Sequence, residues 1–299
     1  MTDIAVVGSW HLAHVTAACL AEIGHYVTLY FDEPRSIDEP FLAEMETKWI
    51  EKDRLRHGSL ECSLGLQSVV WLADDTPLDA AGGPDTAGLF KLTGRLRTIF
   101  PDLELVIVSS QVPIGTCRRI EHQLTVPVAY VPENLRLGTA ISDFIYPDRL
   151  VVGAEKVETR KRVLSLMSHL VGLKMMSEAT APMLCSLETA EMVKHATNAF
   201  LATSISFANE MAVIGARFDV DNAVLTKALR ADTRIGPRAY VRAGEGFAPG
   251  TLARDLKALQ WAGKCGGVPT WLVDAVLAVN DVAPQPASRP HDEHLKGHR

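Results

Sequence analysis

Lys194 and Asn198, in the run EMVKHATNAF (Glu191–Phe200), are the pair whose types and spacing most plainly suit chemistry. At i and i+4 they share one face of a helix. A lysine ammonium and a side-chain amide can hold and polarise an alkoxide as hydride leaves its carbon, stabilising charge where it develops. Taken alone, such a pair also fits an ordinary solvated helix face. A second feature follows the strand-like run Ile4–Val7, where Gly8-Ser9-Trp10-His11-Leu12-Ala13 leads into a helical pattern. A dinucleotide-binding turn, G-x-G-x-x-G/A, belongs at such a place. Only the first glycine and the last small residue match. The middle glycine normally lets the backbone approach a pyrophosphate, and here it is Trp10. That side chain either points away, leaving the helix-start amides free for phosphate, or closes the site. A plain tight turn is the alternative reading. The third feature is GEGFAPGTLARD (Gly244–Asp255), a Gly/Pro-rich loop that hands over to a helix.

The elements that must carry these residues follow from hydrophobic periodicity. Ile4–Val7, Val27–Phe31, Ser68–Ala73, Leu103–Ser110, Val126–Val131 and Leu150–Ala154 read as short buried strands. Amphipathic segments lie between or after them, at Leu12–Ile23, Thr86–Ile99 and Lys156–Leu170. This alternation predicts an α/β fold with a doubly wound, Rossmann-like parallel sheet covered on both faces. From Leu184 to Phe218 the pattern becomes one helix of about 50 Å, followed by helices at Asn222–Ala231, Leu252–Gly263 and Thr270–Val279. The expected organisation is a dinucleotide-binding domain over 1–180, an all-helical central domain over 181–282 built on the long helix, and a disordered Pro- and charge-rich tail over 283–299.

Longer stretches resemble the UDP-glucose/GDP-mannose dehydrogenase family. The opening IAVVGSWHLAHVTAACLAEIGHYV is similar to I-A-V-x-G-x-G-Y-V-G-L-x-x-A-x-x-L-A-x-x-G-H-x-V. VPENLRLGTAISDFIYPDRLVVG (Val131–Gly153) is similar to N-P-E-F-L-R-E-G-x-A-x-x-D-F-x-x-P-D-R-I-V-I-G. EMVKHATNAF is similar to E-M-x-K-Y-x-x-N-A-F, and the Gly244 loop to G-x-G-Y-G-G-S-C-F-P-K-D. The resemblance implies an NAD-dependent oxidoreductase, with NADP left open, and a cofactor held by Gly8, Ser9, Trp10, His11 and Leu12. Asp32, next to the aligned Phe31, is the candidate for the adenosine ribose. WLADDTPLD (Trp71–Asp79) and SSQVPIGT (Ser109–Thr116) add Thr76 and Gln111 to the cofactor side. Asp75 is an unusual acid there.

The same resemblance implies that Glu133, Lys194, Asn198 and Asp255 take part in catalysis, with Arg254 standing for a lysine near the cofactor. Asp148 and Arg149 are expected to form a structural pair. Arg234, in ADTRIG, would reach a partner subunit's substrate pocket. Thr251 stands where the family carries its nucleophilic cysteine, and Leu137 where it carries a second glutamate. The family's second oxidation depends on a thiolate. The expected reaction is therefore one two-electron oxidation of an alcohol on a sugar, nucleoside or related compound, with Thr251 a hydrogen-bonding pocket residue. The family pattern also continues into a nucleotide-sugar-binding domain with no counterpart in this sequence, which favours a smaller substrate. The competing expectation is an inactive homologue acting as a binding or regulatory partner; a weaker one is a nucleotide-sensing module.

The bulk properties agree with an ordinary globular protein. Of 299 residues, 47% are hydrophobic and 22% charged. A net charge of −6 gives no reason to expect nucleic acid or an acidic membrane as partner. No apolar run approaches the ~20 residues needed to span a bilayer. Five scattered cysteines without a CxxC pair suggest reduced thiols, no zinc site and a cytoplasmic location. Cys265 is expected to be an ordinary buried cysteine. The long helix, with its apolar faces, predicts a homodimer; burial of that helix within one chain is the alternative reading.

Overall fold

The computed structural model of the chain describes residues 1–31, 37–60, 65–74, 76–79, 83–170, 181–248 and 250–284. The chain divides into two compact units. The first comprises Met1–Thr76 and Thr86–Lys194, the second Pro77–Asp85 and His195–Arg299.

The first unit is built on a sheet that has eight strands among the described residues: β1 (Asp3–Val7), β2 (Tyr26–Tyr30), β3 (Leu55–Gly58), β4 (Val69–Leu72), β5 (Leu105–Val108), β6 (Val128–Tyr130), β7 (Val151–Ala154) and β8 (Met183–Cys185). Their spatial order is β3-β2-β1-β4-β5-β6-β7-β8. Alternate residues of each strand point to opposite faces. Ile4, Val6, Val69 and Trp71 enter one apolar cluster, while Ala5, Val7, Val70 and Leu72 enter another. Both faces are thus covered, which is why these strands are apolar without alternation. The order reverses direction between β1 and β4, and in such sheets the crevice beyond the strands' carboxyl ends at that point receives ligands.

The helices of this unit are α1 (His11–Glu22), α2 (Leu42–Glu51), α3 (Ala87–Thr93), α4 (Leu96–Ile99), α5 (Thr116–Leu124), α6 (Ala140–Ile145) and α7 (Val157–Leu166). The next, α8 (Leu187–Gly215), begins in the first unit and continues into the second. It is followed there by α9 (Asn222–Ala231), α10 (Thr251–Gly266) and α11 (Trp271–Val282). Ala202, Phe247, Ala253, Leu256 and Val276 form the apolar cluster of the second unit.

Several details differ from the sequence expectation. The sheet is not wholly parallel, because β6 and β7 pair antiparallel. The single helix expected over Thr86–Ile99 is two, interrupted at Gly94-Arg95, where glycine is a poor helix former. Leu184 and Cys185, expected as the start of the long helix, belong to the edge strand β8. Strand β3 and helices α2, α5 and α6 carry periodicity too short or too polar to stand out. Cys265 is exposed, because only the first half of α10 turns a buried face inward. Asp32, Asp75 and the tail from 285 lie outside the described residues.

Candidate active site

In the first unit the β1–α1 turn is shaped by Gly8. A Cβ there would lie 2.7 Å from the Ala73 carbonyl oxygen and 2.8 Å from the Ala13 Cβ, so only glycine allows this approach of strand and helix. Trp10 is the N-cap of α1 with φ −117° and ψ −178°. That extended backbone suits any residue, so replacing the usual glycine costs no strain. The tryptophan side chain is half-buried. No acidic residue and no capping side chain occupies the first turn of α1. The amides of His11 and Leu12 have no intrahelical acceptor, as at any helix start. The His11 imidazole is held by Glu39 at 2.8 Å, and Glu39 also accepts from the amides of Gly138 and Ala140.

The neighbouring strand ends supply further groups. Ser109 Oγ accepts from Trp71 Nε1 at 2.9 Å and donates to the Val131 carbonyl at 2.7 Å. Ser110 is buried, and its Oγ has no hydrogen-bond partner among the described residues. Thr76 is buried and Gln111 half-buried. An uncapped helix start, a backbone approach only glycine permits and an orphan buried hydroxyl fit the pyrophosphate of a dinucleotide. One group opposes it: the Asp74 carboxylate accepts from the Ser9 amide at 3.4 Å. Asp74→Ala is expected to tighten dinucleotide binding about tenfold, the scale of one like-charge contact near a surface. Unchanged affinity by calorimetric titration would show that the acid does not compete.

The start of α8 is anchored by carboxylates. Glu191 is fully buried and accepts from the amides of Gly115 at 2.5 Å and Cys117 at 2.8 Å, at the beginning of α5. Burial pushes its carboxyl above the ordinary range, although those amide bonds work the other way. Glu188 pairs with Arg118 at 2.9 Å. Gly153 of β7 lets the helix dock, since a Cβ there would stand 2.5 Å from the Ala190 Cβ. These contacts fix the turn that carries Lys194. Its buried ammonium donates to Glu133 Oε1 at 2.5 Å and to the Glu133 carbonyl at 3.0 Å. Glu133 Oε2 accepts from the Leu135 amide at 2.8 Å. Two of the three ammonium donors are thus engaged. Leu137 is exposed, and Arg149 donates to Asn134 Oδ1 at 2.9 Å.

In the second unit Asn198 and Asp255 meet directly, the amide donating to Oδ2. The other carboxylate oxygen is taken by His195 Nδ1 at 2.5 Å. All three side chains are buried. The sequence resemblance implies Asn198 and Asp255 for one site but not His195, whose signal is a histidine where the similar pattern carries tyrosine. Thr251 is the exposed first residue of α10, and Arg254 is buried on the same helix. Arg234 is highly exposed and pairs with Asp232 at 2.7 Å.

The loop before α10 is held by two asparagines that the sequence did not single out. Asn280 Oδ1 accepts from the Phe247 amide at 2.7 Å, and its Nδ2 donates to the Phe247 carbonyl at 3.1 Å. Asn209 receives the Gly244 amide at 2.9 Å and donates to the Glu245 carbonyl at 3.2 Å. A Cβ on Gly246 would come within 2.5 Å of Asn280 Oδ1. An asparagine inside the apolar run WLVDAVLAVNDV was the available signal. Burial pushes the thiols of Cys19 and Cys117 up, so neither offers a thiolate in place of the absent loop cysteine. Among the described residues no cluster could hold a metal ion, and no helix is long and apolar enough to cross a membrane.

Comparison with known proteins accounts for both units. Residues 2–171 match the NAD binding domain of the UDP-glucose/GDP-mannose dehydrogenase family, and residues 188–282 match its central domain. The UDP-glucose 6-dehydrogenase of Rickettsia bellii is 28% identical over 315 residues, covering 99% of this chain and 71% of that protein. A putative UDP-glucose 6-dehydrogenase of Bacillus subtilis is 31% identical, covering 93% of this chain and 67% of that protein. The structure of a UDP-glucose dehydrogenase from Pyrobaculum islandicum superimposes with a TM-score of 0.84 at 29% identity, over 94% of this chain and 68% of that one. The chain belongs to the UDP-glucose/GDP-mannose dehydrogenase family.

Proposed function

We propose that this protein is an NAD-dependent oxidoreductase that removes two electrons from a CH–OH carbon of a nucleotide sugar or a smaller sugar-like alcohol. The observation that carries the reading is the buried Lys194 ammonium, held at Glu133 with one donor still to give. A fixed, desolvated cation stabilises a developing alkoxide far better than a mobile surface lysine. Asn198, one turn further along α8, offers the amide expected beside it. Asp255 or Glu133 takes up the hydroxyl proton, directly or through water. The turn Gly8–Leu12, with Thr76, Gln111 and Arg254, holds the dinucleotide, and Asp32 is the candidate for its ribose. A bound nicotinamide supplies the hydride acceptor.

Thr251 makes no covalent intermediate in this reading. An alkyl hydroxyl is a far weaker acid than a thiol, so the thioester route to a carboxylate is closed. The substrate class draws on the relatives named above, which are UDP-glucose dehydrogenases. Free thiols at Cys19, Cys117, Cys185 and Cys265 suit a reducing cytoplasm. A homodimer through α8 is supported by the exposed Phe200, Val213 and Ile214 on that helix.

The test is the stoichiometry of NADH formed per molecule of product, with UDP-glucose and simpler sugars as substrates and the mass of the active species followed by light scattering. One NADH per aldehyde or ketone, from a particle of two chains, is the expected result. Two NADH per carboxylate would overturn the single-step reading. No turnover and no NAD binding would point to an inactive partner protein, and a one-chain mass at micromolar concentration would end the dimer.

A further inference from the structure

His195 follows Lys194 on α8, and its ring is tied to Asp255 of α10. Asp255 is 0% exposed and His195 1% exposed. A carboxylate taken wholly out of water must have its charge met by donors at close range. Here Asn198 meets Oδ2 and His195 Nδ1 meets Oδ1. Imidazole Nδ1 is bonded to the ring carbon nearest the backbone, whereas a tyrosine presents its hydroxyl at the far end of its ring. Tyrosine at position 195 therefore cannot reproduce this donor from the same backbone.

We propose that His195 is the positioning residue of Asp255, donating Nδ1–H to Oδ1 so that the carboxylate is fixed in the orientation that accepts the proton. The idea rests on the oxidoreductase reading above. In the oxidation it serves, the substrate O–H bond breaks and its proton passes by way of water to Asp255. The C–H pair leaves as hydride to the nicotinamide dinucleotide, and the C=O bond forms. His195 itself touches neither substrate nor cofactor. It acts through Asp255 by denying the carboxylate its other rotamers and by balancing its buried charge, in the manner of an aspartate that fixes a catalytic histidine with the roles exchanged.

Three variants of the full-length protein test this with NAD and whichever alcohol the wild type oxidises. His195→Leu removes the donor at similar volume. His195→Asn keeps an N–H close to the place of Nδ1. His195→Tyr installs the residue of the similar pattern. The expected result is a fall in kcat of about 10²-fold for the leucine and tyrosine variants, the scale of a misplaced catalytic group. Their substrate KM should stay within about threefold, and the asparagine variant should recover to within about tenfold of wild type. Proton NMR should show a far-downfield imidazole N–H resonance in wild type that is missing from His195→Leu. An active wild type with an unimpaired leucine variant, or an asparagine variant as poor as leucine, would overturn the proposal by leaving His195 a packing residue. A wild type with no turnover would instead sink the oxidoreductase reading itself.

Discussion

Lys194→Met should lower turnover about 10²- to 10³-fold, the effect of removing one fixed donor from a developing oxyanion, with substrate KM changed far less. Methionine keeps most of the side-chain length and apolar stem, so packing along α8 is retained. What is lost is the ammonium, and with it the partner of Glu133 at 2.5 Å. The pair is buried on the lysine side and 20% exposed on the glutamate side. Stability should therefore fall by about 2 kcal/mol, less than the 3–5 kcal/mol typical when a fully buried pair is broken. Adding Glu133→Gln to Lys194→Met should restore most of that stability and none of the turnover. Denaturant melts and initial rates on the same preparations separate the two effects. Wild-type turnover in Lys194→Met would remove the lysine from the chemistry and leave the Glu133 pair a purely structural contact.

Asn280→Ala should have the largest effect on the loop. The side chain satisfies both the N–H and the carbonyl of Phe247, and Phe247 is itself buried. Truncation strands two backbone groups away from water, at about 1–3 kcal/mol each. The expected loss is about 2–4 kcal/mol, with faster amide exchange across Gly244–Phe247. Asn280→Asp should not rescue it, because a carboxylate keeps the acceptor but loses the donor and buries a charge. Because the same loop leads into α10, which carries Thr251 and Asp255, turnover should drop even below the unfolding transition. Unchanged exchange in the alanine variant would show that Asn209 and Pro284, which also bind the loop, are sufficient anchors.

The fold was readable because its information is local. Apolar strands four to eight residues long, spaced by helical periodicity, specify a doubly wound sheet whichever tertiary contacts follow. Elements were missed where local pattern is weakest: β3 has one buried residue in four, and β8 has none. The edge position of each, held by backbone pairing to one neighbour, leaves little trace in side-chain type. The β6–β7 antiparallel pairing was illegible for the same reason, since strand direction is a property of connections rather than of residues.

The candidate site divides along the same line. The chemical groups are legible along the chain: an ammonium and an amide one turn apart, an aspartate after a Gly/Pro loop, a threonine where a thiol would be needed, and a dinucleotide turn with its first glycine kept. Side-chain chemistry and helical spacing are enough for the ammonium and amide pair, and the resemblance to the family implies the rest. The packed fold sets which groups hold which. It paired Lys194 with Glu133 across 61 residues and His195 with Asp255 across 60. It also set Asp74 against the Ser9 amide and used two asparagines to pin the loop. Such hydrogen bonds depend on distances of about 3 Å between chain segments that only the packed core brings together, and no local pattern encodes them.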